Sequence, residues 1–248
     1  MAVQLRRTLW RLAGVIEVVP ETPRTKSVVL EVPEWEGHEA GQHVDVGLTA
    51  PDGYQAQRSY SISSAPEDER LVLTVDRLED GEVSPYLTDV LMAGDKLELR
   101  GPIGGYFAWE AGDGGPLFLV GGGSGIAPLM AMIRHRAAVG SDIPCRLLYS
   151  SRSYEEIIYR EELENLAARD GELEVIHTLT RSRPEAWTGY GRRIDVEMLR
   201  DVARSPDENP LVFVCGPTSF VEGVADALVR LGHDPARVKT ERFGPTGG

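Results

Sequence analysis

The chain has 248 residues, enough for one large hydrophobic core or two ordinary ones, and carries a formal net charge of −13. That charge excludes a long-range field drawing nucleic acid or an anionic membrane to the protein, although local basic patches stay open. The only two cysteines, Cys145 and Cys215, form no C-x-x-C pair, so this sequence supports neither a disulfide framework nor a four-thiolate iron–sulfur cluster of its own.

The opening segment 1–10 lacks the uninterrupted apolar stretch of a secretory leader. The longest apolar run, 126–133, is too short to span a bilayer, so no membrane span and a reducing cytoplasmic setting are expected. Arg6, Arg7 and Arg11 precede the first acid, Glu17. They form either a basic patch suited to an acidic partner or a solvated, frayed terminus.

From residue 13 to 107 short β-rich runs alternate with turn residues, at 14–19, 26–32, 42–48, 58–63, 71–77 and 95–101. Several show the period-two alternation of a half-buried strand, as in Val44, Val46 and Leu48. Six such runs predict an antiparallel barrel. One helix interrupts them, with Ser84 as its N-cap, Pro85 at its first position, Tyr86, Leu87, Val90 and Leu91 as its apolar face, and Gly94 as its stop.

After the turn-rich segment 111–116 the texture changes. Strands at 117–120, 145–149, 174–179, 211–215 and 238–241 alternate with helices at 126–139, 155–169 and 219–231. This predicts a doubly wound α/β domain with a five-strand parallel sheet. The expected architecture is therefore two domains, an antiparallel β-barrel over 1–110 and a nucleotide-binding α/β domain over 111–248.

Four glycines in five positions, Gly121, Gly122, Gly123 and Gly125, follow the first α/β strand and open its helix. Side-chain-free backbone there can approach a pyrophosphate, whose charge the free N–H groups and positive helix end stabilise. A bare strand–helix turn needs only one glycine. The usual dinucleotide pattern G-x-G-x-x-G/A is broken by Ile126 and Pro128, and no Gly-Lys-Ser/Thr follows to make a P-loop. The second α/β strand ends in Ser150-Ser151-Arg152, with no acid to bind a ribose diol. Hydroxyls and a guanidinium suit a 2′-phosphate instead, the alternative being a solvated arginine. In the barrel half, alternation sends Arg58 and Tyr60 to one face and Ser59 and Ser61 to the other, either as a cofactor contact or as cross-strand pairs.

Together these segments resemble the ferredoxin–NADP reductase superfamily over nearly the whole chain. Arg58-Ser59-Tyr60-Ser61 is similar to its R-x-Y-S flavin motif, and Gly81-Glu82-Val83-Ser84 to its G-x-x-S phosphate turn. Gly101-Pro102-Ile103-Gly104 resembles the loop closing its barrel, and Gly122 to Pro128 its coenzyme loop. Cys215-Gly216-Pro217 matches its C-G-P motif, and Glu241-Arg242-Phe243 its terminal strand. The nearest subgroup is the reductases that serve oxygenases and related acceptors.

The resemblance implies FAD and NADPH or NADH as cofactors. Tyr60 would lie against the isoalloxazine, Arg58 would pair with the pyrophosphate, and Glu82, Val83 and Ser84 would form the phosphate turn. Ser59, Val75 and Arg77 would belong to the strands lining the flavin. Gly122, Gly123, Ser124, Gly216 and Pro217 would shape the nicotinamide side, with Ser151 and Arg152 toward the ribose phosphate. Ser61, Cys215 and Glu241 would be the polar set along the hydride path. Flavin takes up two electrons and releases them singly, so the implied partner is a separate redox acceptor, a ferredoxin or an oxygenase component. The alternatives are a reductase of free flavin or small quinones, and a flavin-binding subunit without turnover. Some relatives end in an aromatic residue that covers the flavin. Here either Phe243 takes that place or the following 244–248 leave the flavin open. A fused ferredoxin domain has neither room nor cysteines in this sequence.

Cys215, after an apolar strand, is also readable as a buried small hydrophobe. The five histidines form no ligand-spaced pair, so no metal site is expected, and His43 reads as strand packing.

Overall fold

A computed structural model describes residues 9–49 and 53–244. Six strands come first: β1 (Trp10–Pro20), β2 (Thr25–Glu31), β3 (His43–Thr49), β4 (Gln55–Ser61), β5 (Leu71–Asp76) and β6 (Lys96–Ile103). They form one antiparallel sheet in the order β4-β3-β6-β1-β2-β5. A bridge from Ile62 to Leu73 joins its two edges and closes the barrel. Alternation fills the interior: Leu97 and Leu99 turn inward from β6 while Lys96 and Glu98 stay out, and Val28, Leu30, Val44, Val46 and Leu73 meet them.

One polar residue is placed against the outside of this wall. Asp45 on β3 is only 5% exposed. It accepts from Ser59 Oγ on β4 at 2.6 Å and from Arg100 Nη2 on β6 at 2.6 Å, so it ties three strands together beneath the Arg58–Ser61 segment. Burial pushes its carboxyl up, but the Ser59 hydroxyl and Arg100 guanidinium outweigh that and hold it below its ordinary range.

The second half carries β7 (Leu117–Gly122), β8 (Cys145–Ser151), β9 (Leu173–Leu179), β10 (Leu211–Pro217) and β11 (Val238–Phe243). All are parallel, in the order β11-β10-β7-β8-β9. Helices α1 (Ile126–Ala138), α2 (Arg160–Arg169), α3 (Val196–Val202) and α4 (Thr218–Arg230) cover the two faces, each with its own apolar cluster. The strand order reverses between β7 and β10, and in open α/β sheets the crevice beyond the carboxyl ends at such a point is where ligands bind. Among the described residues no helix is long and apolar enough to cross a membrane.

Three sequence expectations need correction. Ser84 does not cap a helix with its side chain: its Oγ accepts from the N–H of Leu78 at 3.0 Å. The segment after Pro85 is a single π-type turn, Tyr86–Val90, closed by Leu91 N–H on the Tyr86 carbonyl and stopped where Leu91 becomes extended. The helix expected over 155–169 begins only at Arg160, because Tyr159 takes a left-handed conformation with φ +59° and separates it from a 3-10 turn at Tyr154–Glu156. Helix α3 escaped the pattern reading, although Asp195 caps it by accepting from Met198 N–H at 2.8 Å and Met198, Leu199 and Val202 supply its buried side.

Asp45→Ala removes the nearly buried acceptor that Ser59 and Arg100 share, so urea unfolding should show a loss of about 2 kcal/mol. A loss under about 0.5 kcal/mol, the size of an ordinary surface change, would contradict this three-strand tie.

Candidate active site

On the barrel side, β4 presents Arg58 and Tyr60 on the face of their β3 partners Val46 and Val44, while Ser59 turns to Asp45. Tyr60 packs against the barrel core, and burial pushes its phenol up to about 12. Arg58 reaches out to Glu82 Oε2 at 3.1 Å, and the other oxygen of Glu82 accepts from Tyr54 at 2.9 Å. Glu82 belongs to the turn before the π-type helix, where the side chains of Val83 and Ser84 are buried. None of the hydrogen bonds among the described residues uses the N–H groups of Val83 or Ser84. A cation and two unspent main-chain donors thus line one edge, a donor set that fits a pyrophosphate. Val75 is fully buried in the barrel core, so only its main chain can face a ligand. Arg77 is held by Asp89, Nε to Oδ2 at 2.8 Å.

On the α/β side, β7 runs into Gly123–Gly125 and then α1. Gly123 has φ +56° and open space where a side chain would stand. Gly125 is a glycine for the opposite reason, since a Cβ there would strike the carbonyl of Cys215. The phenyl ring of Phe220 fills the space that side chains on Gly122 or Gly216 would need. The two loops at the strand-order reversal, 122–125 and 215–217, are therefore packed backbone to backbone. At the end of β8, Ser151 is buried with its hydroxyl unpartnered. Arg152 is exposed, and its charge helps offset the burial that raises the Asp76 carboxyl across the cleft. Arg181 and Ser182 donate their main-chain N–H groups to the Arg152 carbonyl, which brings a second exposed arginine beside it.

The halves meet where β3, β4, β10 and β11 converge. Ser61 pairs with His43 across β4 and β3, and Cys215 pairs with Glu241 across β10 and β11. His43 Nδ1 lies 3.6 Å from Glu241 Oε1, so the three expected residues Ser61, Cys215 and Glu241 are joined by a fourth that the sequence assigned to strand packing. Gly104, at φ +101°, lies flush against the His43 ring. Glu241 Oε2 is buried without a partner, and burial pushes its carboxyl up to about 7. Burial likewise lowers His43, with Asp45 opposing, and raises the Cys215 thiol, with Glu241 adding to the effect. Phe243 pairs with Pro217 at the end of β11 and is 38% exposed. The stretch 245–248 lies outside the described residues, as do Arg6 and Arg7. Arg11 is spent on the carbonyls of Pro33 and Glu34.

Comparison with known proteins agrees with this fold. Residues 16–108 match the oxidoreductase FAD-binding domain model, and residues 119–226 the oxidoreductase NAD-binding domain model. Ferredoxin–NADP reductase B of Sorangium cellulosum is 35% identical, with 93% of this chain and 96% of that protein covered. The chain belongs to the ferredoxin–NADP reductase superfamily.

The glycine betaine monooxygenase reductase subunit of Pseudomonas aeruginosa is 34% identical over 95% of this chain, which spans 64% of that relative's length. Among solved structures, the Amycolatopsis cytochrome P450 reductase superposes with a TM-score of 0.84 at 28% identity, covering 97% of this chain and 72% of that one. The flavin- and nicotinamide-binding domain of a Vibrio cholerae nitric oxide dioxygenase gives 0.84 at 25% identity, covering 95% and 99%. This superfamily member thus carries an FAD-binding and an NAD-binding oxidoreductase domain.

The raised Glu241 carboxyl gives a signed expectation. Its folded value, about 7, lies above its ordinary 4.5, so the fold favours the protonated form. That contribution is complete below pH 4.5 and is lost as pH rises to about 7. Glu241→Gln, which stays neutral, should therefore gain stability relative to the wild-type protein across this window, by up to about 3 kcal/mol. Parallel unfolding curves at pH 4.5 and 8 check this, and a constant difference between the two proteins would contradict it.

Proposed function

We infer that this reductase takes hydride from NADPH, or less readily NADH, onto FAD and passes the electrons singly to a separate redox acceptor, a ferredoxin or an oxygenase component. The observation that carries this reading is the convergence of Ser61 and His43 from the barrel with Cys215 and Glu241 from the α/β sheet at the strand-order reversal. When bound, FAD would supply the hydride-accepting and one-electron-releasing chemistry, and Arg58, Tyr60, Val83 and Ser84 are the residues that would hold it. The flavin domain would occupy residues 1–110 and the coenzyme domain residues 111–248. Two buried, unpaired cysteines fit a cytoplasmic setting.

The chain's own residues bind, orient and exclude water. Arg58 and the Val83 and Ser84 N–H groups hold the flavin pyrophosphate. Glu82, itself an anion, serves by fixing Tyr54 and Arg58 rather than by touching phosphate. Tyr60, seated on the barrel core, offers its ring to the isoalloxazine. Gly123 leaves open space on the nicotinamide side, where Gly122, Ser124, Cys215, Gly216 and Pro217 shape the surroundings with the Phe220 ring packed on Gly122 and Gly216, and Phe243 stands at the end of β11. Ser61 and Glu241 supply polar groups beside the reacting atoms, with burial letting Glu241 keep its proton to higher pH than an ordinary glutamate. Ser151 and Arg152 take the 2′-phosphate.

The purified protein should be yellow and should bleach on anaerobic addition of NADPH, then recolour when an oxidised ferredoxin or oxygenase component is added. Colour without bleaching would favour a flavin-binding subunit, and recolouring only by free flavin or quinone would favour the small-molecule reductase. Protein purified and reconstituted without any bound flavin would sink all three readings. For the coenzyme, Arg152→Ala should raise KM for NADPH by at least about tenfold while changing KM for NADH little. Equal effects on both would remove the 2′-phosphate role.

A further inference from the structure

The two sheets are joined by a polar seam whose centre is Tyr159. This residue sits in the left-handed region, φ +59° and ψ +25°, which an aromatic side chain rarely adopts. The conformation breaks the chain between the 3-10 turn and α2 and sends the phenol out of its own domain into the barrel wall. There Tyr159 Oη lies 3.1 Å from Ser63 Oγ, 3.1 Å from Ser27 Oγ, and in hydrogen-bond contact with Thr74 Oγ1. Ser63, Ser27 and Thr74 come from three separate barrel segments and are all buried. Ser27 also donates to Glu21 at 2.7 Å.

Arg134, from the middle of α1, stacks on the Tyr159 ring with its guanidinium carbon 4.6 Å from the centroid. It donates to the Ser63 carbonyl at 2.6 Å and forks onto Glu162 of α2 at 2.8 and 2.6 Å. Ser63 therefore receives the coenzyme domain twice, at its carbonyl and at its hydroxyl. It stands two residues beyond Ser61, at the end of the strand that carries the flavin motif. Arg134 stands two helical turns beyond the coenzyme loop 123–125, on the helix that loop opens.

We propose that Tyr159, clamped by Arg134, is a positioning residue for hydride transfer: its hydroxyl contacts with Ser27, Ser63 and Thr74 set the separation between the flavin strand β4 and the coenzyme loop before α1. This rests on the functional reading proposed for the site. An ordinary interface would use an aromatic side chain in a relaxed conformation. The strained backbone is retained because only that direction carries the phenol to the three hydroxyls. Displacing reacting atoms by a fraction of an ångström costs rate without costing affinity, because each ligand is still held by its own domain.

Tyr159→Phe keeps the ring, the Arg134 stack and the backbone, and removes only the hydroxyl hub. With FAD-loaded protein in an anaerobic stopped-flow instrument, the saturating rate of flavin bleaching by NADPH should fall about tenfold. The NADPH dissociation constant and flavin content should stay within about twofold. The double variant Ser63→Ala/Thr74→Val, which removes two partners from the barrel side, should slow bleaching in the same way, and adding Tyr159→Phe to it should bring little further loss. Should Tyr159→Phe fold poorly, the barrel-side variant carries the test alone. An unchanged bleaching rate with only a lower Tm would overturn the proposal, leaving Tyr159 as interface packing. Absence of bleaching in the wild-type protein would instead overturn the functional reading, and the proposal with it.

Discussion

The helix α1 is the part on which the rest of the structure depends. Its first turn grows out of the glycine loop at the end of β7, and Arg134 near its middle grips the Ser63 carbonyl of the barrel. A helix rises about 1.5 Å per residue and bends little over so short a span, so the coenzyme loop and the end of the flavin strand become two points on one rigid rod. His135, the next residue, adds a second grip through Nδ1 on Glu67 at 2.8 Å. An apolar contact crosses between the halves: Ala40, Phe107 and Trp109 pack into the cluster built on α1 and the parallel sheet, with Phe107 edge-on to Phe213 at 5.3 Å. The rest of the join is a seam of arginine, histidine, tyrosine and hydroxyl groups. Such a seam specifies one geometry, because a polar contact that slips leaves a buried group unpaired.

Electrostatics follow the same division. The chain is strongly acidic, yet Arg58, Arg152 and Arg181 mark the margins where phosphates would sit, and each is exposed. Between those margins the convergence of β3, β4, β10 and β11 is desolvated, which raises Glu241 and lowers His43, so the pair tends toward neutrality rather than toward a full ion pair. A neutral, water-poor centre with cationic edges suits a reaction that moves a hydride between two anionic cofactors.

Much of this was legible in the sequence. β-Rich runs between turn residues, several of them alternating with period two, marked all six barrel strands, and apolar runs marked all five parallel strands, because burial on one or both faces dictates side-chain choice residue by residue. The glycine loop, the Arg58–Ser61 strand and the Cys215–Pro217 turn were recognisable because close backbone approach leaves a compositional mark. The interdomain contacts were not. Tyr159 looked like one more helical residue, and its left-handed conformation answers to three hydroxyls scattered over the barrel sequence. His43 alternated correctly as a strand residue, and only the approach of β11 made it a neighbour of Glu241. Ser84 resembled a cap by position, but its hydroxyl was captured by Leu78 from a turn that local patterning does not foresee. The missed interdomain features are long-range polar pairings, which carry no period, while the short helix α3 and the Leu78–Ser84 turn were local misses.

The central claim is that the two sheets hold flavin and nicotinamide in contact for direct transfer. The most direct test is the primary isotope effect on anaerobic flavin bleaching, using NADPH deuterated at the transferred position of C4. Direct transfer between the two sheets predicts that the deuterated coenzyme bleaches the flavin measurably more slowly, at the same dissociation constant. Identical rates for the two coenzymes at saturation, with bleaching established as the step observed, would contradict the account.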